Sequence, residues 1–408
     1  MESNMENLRK PQLGFALLHK IFVAANIRRW NDQATPVEFL ELDKQAHKIV
    51  IAYFLAHFEI LENQQKIDFE RLILQFCYEF FERIILTDIK PPVFHKLVKH
   101  HNKALVDFVC AQLSEDLEGF KFLDSMREYL YGNVDNLEKE ILKASHYYAS
   151  KWEFDIIYHF NPKMYDVQNI KNAIDKQVHE YYHLAGVQQM MYEDLREIVD
   201  MFGQLRFQKR WSQTPRVPCT SVLGHTLIVA LCAYLLGYDL GFSQEMQVQH
   251  FFCGLFHDLP EVLTRDIISP IKKNVEGLDE FIKKIEEEAV QEKILNLIPD
   301  SIAQEIVYYT QNEFSNRYKQ ENVAVFSQAK GESFLQEIES QSVEKPIFGE
   351  FLKYCDHLSA FLEAKISIEH GIKSKELIEG ARNLEYHYNG EKLRKIDLGY
   401  LFREFHTT

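Results

Sequence analysis

The sequence predicts an all-α protein built from two consecutive helical bundles. Three observations carry that prediction. Glycine (16) and proline (11) are scarce among 408 residues, which disfavours a turn-rich β architecture. Apolar residues recur at helical spacing in almost every segment, and no stretch alternates convincingly as a strand. Finally, four blocks of sequence recur in the same order in the two halves, so one helical unit is expected twice.

Along the chain, the opening MESNMENLRKPQLGF carries acids and lacks the apolar core of a signal peptide. The first repeat block is Arg29-Trp30, answered by Arg210-Trp211. The second is HKIVIAYFLA from His47, answered by HTLIVALCAYLL from His225; the run Ile49–Phe58 is apolar nearly all round and reads as a buried helix. The third sets YEFFERIILTDIKPP, from Tyr78, against FHDLPEVLTRDIISP, from Phe256. Thirty-two residues separate His47 from Glu79 and likewise His225 from His257, and 41 separate His47 from Asp88 and His225 from Asp266. The fourth places His146 opposite Asp356. Between the third and fourth blocks of the second copy, GLDEFIKKIEEEAVQEKILNLI has the charge pattern of an amphipathic helix. The expected domains are residues 1–160, a helical connector at 161–190, and residues 191–408.

Bulk properties narrow the function. At 46% hydrophobic residues the chain is globular, and 30 Phe and 20 Tyr should fill thick helix contacts. A net charge of −15 argues against a nucleic-acid polymer as partner but leaves room for a small anionic substrate in one cationic pocket. None of the six cysteines forms a C-x-x-C pair and most lie in apolar runs, so reduced thiols and a cytoplasmic location are expected. The longest uncharged apolar run, TLIVALCAYLLGY, is too short to span a bilayer, and no membrane partner is expected.

The chemistry concentrates in the second copy. His225, the adjacent His257-Asp258, and Asp356 lie in apolar helical surroundings. Two imidazoles and two carboxylates from three helices can converge on one divalent cation inside a bundle. That mixed set suits Mn, Fe, Co, Ni or Zn better than Ca. Glu261 is four residues beyond His257 and can face the same side of a helical turn as a proton relay; Asp266 is a second candidate for that work. Arg210 is the best placed of the basic residues in LRFQKRWSQTPR to grip a phosphate; Trp211 can pack on a base or sugar, and Lys272 and Lys273 are further phosphate candidates. Such a set can hydrolyse a phosphate ester with an ion-activated water.

These residues resemble the signature H…HD…D of the HD-domain metal-dependent phosphohydrolases. The E-V-L-T-x-D run after the HD pair and the Arg210-Trp211 pair are similar to the bacterial 5′-deoxynucleotidase branch. The resemblance covers roughly residues 195–385. It implies an HD-type helical bundle with His225, His257, Asp258 and Asp356 as metal ligands. It further implies Glu261 and Asp266 as catalytic groups, and Arg210 on the substrate phosphate. Gly224 departs from the pattern, since relatives often carry an acid just before the first histidine, so any role of that acid in orienting His225 does not carry over.

The first copy reads as a degenerate HD-like domain. It has Glu79-Phe80 in place of the HD pair, Arg83 opposite Glu261 and His146 opposite Asp356. A two-histidine, one-carboxylate site from His47, Glu79 and His146 is the competing reading. The silent copy is expected to act as a built-in partner, making an intrachain pseudo-dimer, with a homodimer as the other possibility. His179-Glu180-Tyr181-Tyr182-His183 matches H-E-x-x-H, with Glu193 or Glu197 as a conceivable third ligand, but it lies in the connector and reads as a linking helix. His95, His100 and His101 read as solvated. The expected activity is a 5′-nucleotidase releasing phosphate from (deoxy)nucleoside monophosphates. The alternatives are a nucleotide-binding sensor or interaction scaffold without turnover, and an HD-type phosphodiesterase or nucleoside triphosphatase.

Overall fold

The computed structural model describes residues 8–87, 89–192, 195–264 and 277–403. Asp88, Glu193, Asp266, Lys272 and Lys273 lie outside these residues. About 68% of the chain is helical, as expected of an all-α fold. The first half runs through α1 (Phe15–Val23), a short ladder of β1 (Arg28–Arg29) and β2 (Phe39–Leu40), then α2 (Glu41–Asn63), α3 (Phe69–Leu86), α4 (Pro91–Leu117), α5 (Leu123–Tyr131) and α6 (Leu137–Phe160). Three helices, α7 (Val167–Glu180), α8 (Ala185–Tyr192) and α9 (Leu195–Gln204), lead onward. The second half contains α10 (Val222–Asp239), α11 (Gln244–Phe256), α12 (Glu261–Thr264), α13 (Leu278–Lys293) and α14 (Asp300–Thr310). Strands β3 (Arg317–Gln320) and β4 (Val323–Phe326), helix α15 (Glu332–Ser340), strand β5 (Glu344–Ile347), and helices α16 (Gly349–Glu369) and α17 (Lys375–His387) follow.

Local chemistry starts the helices that matter. Ser221 precedes α10 and accepts the Gly224 N–H at 2.9 Å; Ser243 does the same for Met246 at the head of α11. With few polar residues on any side, α10 has no solvent face and is 94% buried. At 18 residues it is long and apolar enough to cross a membrane, more so than the uncharged run within it suggests, but the protein core covers it.

One continuous core joins the two halves. Tyr53 of α2 stands 4.9 Å, ring to ring, from both Phe252 and Phe256 of the second half, and Phe76 of α3 meets Phe251 at 6.3 Å. Each such aromatic pair adds about 1 kcal/mol beyond simple burial.

The small sheet was not anticipated. Strands β3 and β4 form an antiparallel hairpin closed by Glu321 and Asn322, both at positive φ (50° and 64°), and β5 adds to β3. A two-residue turn of that kind is usually marked by Asn-Gly, and Glu-Asn hides it. Arg317 anchors the hairpin. Fully buried, it donates to the carbonyls of Tyr308, Asn312, Glu313 and Ser315 and reaches Cys253 Sγ at 3.3 Å. The 311–316 loop is thereby tied to α11.

Corresponding contacts occur in the two halves. Trp30 and Trp211 both adopt positive φ (55° and 54°). Their indole N–H groups donate to Glu153 at 2.8 Å and to Glu363 at 3.0 Å. Those acids lie seven residues after His146 and Asp356 respectively. Residues twelve apart pair in both places, Arg28 with Leu40 and Lys209 with Ser221. The register differs from the sequence alignment in one respect. Counted without a gap from each Arg-Trp pair, the residue that matches His225 is Lys44, not His47. Lys44 Nζ meets His146 Nδ1 at 2.5 Å, as His225 Nε2 meets Asp356 Oδ1 at 2.9 Å. His47 points elsewhere, with Nε2 on the Val199 carbonyl (2.9 Å) and Nδ1 facing Arg206 (3.2 Å).

A candidate metal-dependent active site

Helix α10 carries His225 one turn from its start, α11 ends at Phe256 and hands on to His257 and Asp258, and α16 carries Asp356. The geometry brings these four together. Ligand atoms of His225, His257 and Asp258 all lie within 4.8 Å of one another. Asp356 Oδ1 stands 2.9 Å from His225 Nε2 and 4.0 Å from His257 Nε2. Asp258 reaches His257 Nε2 at 3.3 Å and His225 Nε2 at 3.9 Å.

The hydrogen bonds fix which nitrogens face the cluster. His257 Nδ1 lies 2.8 Å from the Gly254 carbonyl, which can only accept, so Nδ1 carries the proton and Nε2 presents a lone pair. Among the described residues, that Nε2 and Asp258 Oδ2 are both buried without a hydrogen bond, although Arg210 stands 3.5 Å from the Asp258 oxygen. Such groups are costly unless something meets them. The His257 lone pair and two carboxylates converge with His225 Nε2, which here donates to Asp356 and would give up that proton to bind a metal, so the residues present fit a divalent ion.

His225 is held from behind by groups that the sequence reading did not single out. Its Nδ1 lies 3.0 Å from Ser359 Oγ and 3.6 Å from Glu363 Oε1. Glu363 is 1% exposed and also accepts from Thr220 at 2.6 Å, with Arg216 at 3.5 Å. Burial alone would raise its carboxyl pKa; Arg216 and the His225 ring instead hold it well below the carboxylate range. Burial likewise works against Asp356, and its hydrogen bond to His225 overcomes it, again giving a depressed pKa. The signal for Glu363 was present: seven residues, two helical turns, put it on the same face as Asp356.

Arg210 bridges the carboxylates, with NH1 at 3.5 Å from Asp258 and NH2 at 3.9 Å from Asp356. Burial would depress its pKa, but Asp258, Glu363 and Asp356 outweigh it and the guanidinium stays charged. Trp211 is half-buried and its N–H is committed to Glu363, which leaves only its ring for other contacts. The neighbouring basic residues serve other ends. Arg206 turns to Glu153 at 2.7 Å, and Arg216 is fixed on Thr220 and the Arg210 carbonyl. Lys209 is exposed.

The segment 257–260 is a turn, with bonds such as Glu261 N–H to Asp258 O at 3.1 Å, and α12 follows. Glu261 therefore lines the same cavity as His257 and Asp258, about 260 Å3, together with Lys283, Asn312 and Glu313. Phe314, in the loop tied down by Arg317, closes on His257 with rings 6.0 Å apart.

The competing sites fare differently. His47, Glu79 and His146 do not converge: Glu79 pairs with Lys48 and accepts from Tyr129, while His146 meets Lys44. Helix α7 stops at Glu180, so His179 and His183 share no helical face, and His183 meets Glu140 at 3.0 Å. His95, His100 and His101 are exposed. Among the described residues, the only His, Cys or carboxylate group close enough to hold an ion is the one at His225, His257 and Asp258.

This fold and this constellation define a class. Residues 202–385 match the model of the HD domain family. Part of the chain is also similar to several bacterial 5′-deoxynucleotidases. It is 31% identical over 106 residues to a 5′-deoxynucleotidase of Photobacterium profundum, covering 25% of this chain and 54% of that one. The match to one from Salmonella arizonae is 29% over 103 residues (24% and 51%), and to one from Vibrio atlanticus 25% over 121 residues (29% and 62%). The chain thus spans between half and just under two-thirds of the length of these relatives. No solved structure matches it.

Proposed function

We propose that the protein is a divalent-metal-dependent phosphohydrolase that releases phosphate from (deoxy)nucleoside 5′-monophosphates. The observation that carries this is the convergence of His257 Nε2, which has no hydrogen bond among the described residues, with Asp258, His225 and Asp356. In this reading His225, His257, Asp258 and Asp356 hold the ion. When bound, it would lower the pKa of a water and neutralise charge on the phosphate. Arg210 releases part of its hold on Asp258 and Asp356 to fork a phosphate oxygen. Glu261 takes and returns a proton at its carboxylate, with Asp266 as the second acid–base candidate and Lys272 as a further phosphate contact. Trp211 offers its ring face to the nucleoside and fixes Arg210 by anchoring to Glu363.

We also propose that residues 1–160 are a degenerate copy of the catalytic domain, 191–408, joined by the 161–190 connector. Lys44 sets its buried amine against His146 and Lys48 pairs its ammonium with Glu79, so the positions that would hold an ion are filled from within and that copy takes none. The six free thiols agree with a reducing cytoplasm.

The test is metal analysis of the purified protein together with phosphate release from a panel of nucleoside mono-, tri- and cyclic phosphates. His257→Ala and Asp258→Ala should lose both metal and activity, and Glu261→Ala should keep the metal and lose turnover. Hydrolysis surviving in all three variants would refute the site. Tight nucleotide binding without turnover under any divalent metal would favour the sensor instead.

A further inference from the structure

Position 224, next to His225, is a notch filled from the other half of the chain. A β-carbon there would stand 2.9 Å from Asp43 Oδ1 and 2.9 Å from Leu42 Cδ2, so only glycine admits them. Asp43 is 4% exposed. It accepts the Ser221 hydroxyl proton at 2.5 Å, while the same Ser221 oxygen accepts the Gly224 N–H and so caps α10. The adjacent Thr220 donates to Glu363, which faces the His225 ring. The His225 N–H itself closes on the Ser221 carbonyl at 3.0 Å. Residues 220–225 are thus strung between two buried carboxylates, one from α2 and one from α16. Asp43 and Gly224 also stand at matching places, each fourteen residues after the arginine of its Arg-Trp pair. Contact between equivalent positions is what a two-fold axis between two copies produces.

We propose that Asp43, contributed by the first half, is a positioning residue for His225: it fixes the amino-terminal turn of α10 and hence the orientation of the imidazole. The proposal rests on the metal-centre reading for its functional meaning, but the positioning itself can be seen in the metal-free protein. A carboxylate acceptor makes the Ser221 hydrogen bond a strong, charge-assisted one, which suits a hinge point that must not swing. The first half then has a task that its own lack of ligands does not reveal.

The experiment compares Asp43→Ala and Asp43→Asn in the full chain. Long-range proton–nitrogen NMR reads the tautomer and uniformity of the His225 ring without metal, and Mn(II) titration reads the affinity of the site. Asp43→Ala should split or broaden the His225 ring signals and weaken Mn(II) roughly ten-fold, the scale of losing a group behind a ligand. Asp43→Asn, whose side-chain carbonyl still accepts from Ser221, should restore both. If Asp43→Ala does not fold, Ser221→Ala removes the same bond and should reproduce the effect. Wild-type ring signals and Mn(II) affinity in Asp43→Ala would overturn the proposal, as would failure of Asp43→Asn to rescue at an unchanged melting temperature. A wild-type protein that binds no Mn(II) or other divalent ion would instead sink the metal-centre reading, and the NMR comparison would still decide the role of Asp43.

Discussion

Replacing Lys48 by methionine should expose how the first half is held together without an ion. Lys48 has a side-chain exposure of 1%, and its ammonium pairs with Glu79, whose side chain is 22% exposed. Methionine keeps most of the volume and deletes the charge. Removing one member of a fully buried pair costs about 3–5 kcal/mol. Glu79 retains some water and still accepts from Tyr129 at 2.5 Å, so the expected loss is smaller, about 2–3 kcal/mol. Adding Glu79→Gln removes the stranded charge and keeps an acceptor for Tyr129. The double variant should therefore recover to within about 1 kcal/mol of wild type. Urea unfolding followed by circular dichroism measures all three stabilities, with phosphate release as a parallel readout expected to stay at wild-type level. A single variant as stable as wild type, or a double variant worse than the single, would refute the idea that an internal ammonium neutralises this half.

Other outcomes follow from the same geometry. Glu363→Gln should weaken divalent-metal binding by roughly 10–100-fold, because His225 loses the charge behind it; titration calorimetry with Mn(II) checks this. The fold should be acid-labile through His47 and His250, whose pKa values burial pushes down to about 3. A histidine kept neutral in the fold contributes stability that is full above its unfolded pKa near 6.5 and is lost as pH falls below it, about 1.4 kcal/mol per histidine per pH unit. Asp43, raised by burial to about 6, opposes part of this loss, and melting temperatures from pH 7.5 to 5.5 should still fall. His47→Gln should flatten the slope by one proton. Gly349→Ala should cost about 1–3 kcal/mol by overpacking, since a β-carbon there would sit 2.3 Å from the Phe314 carbonyl carbon, and the shifted loop should slow turnover; thermal melts and phosphate release read the two effects.

Much of the architecture was legible because its signals are local and periodic. The apolar periodicity that marks α2 and α10 is a property of short windows, and the HD pair with its E-V-L-T run is contiguous. The gathering of His225, His257, Asp258 and Asp356 could be argued from their apolar helical settings. What escaped depends on contacts between distant segments. The Lys44 register is set by a hairpin whose paired residues lie twelve apart, and apolar helices align almost as well three residues out of step. Glu363 looked like any helix glutamate until Thr220, Trp211 and Arg216 closed around it. The β3–β4 turn lacked its usual residues and is held by the long reach of Arg317. Asp266 and Lys272 lie outside the described residues.

The seam between the two halves has a practical corollary. Helix α10 carries apolar side chains on every side, and α2 covers one of them with the rings and aliphatics that begin at Leu42 and run to Tyr53. Expressing residues 191–408 alone would bare that flank to water, so a fragment cut there should precipitate, and the protein must be handled, mutated and crystallised as one indivisible chain.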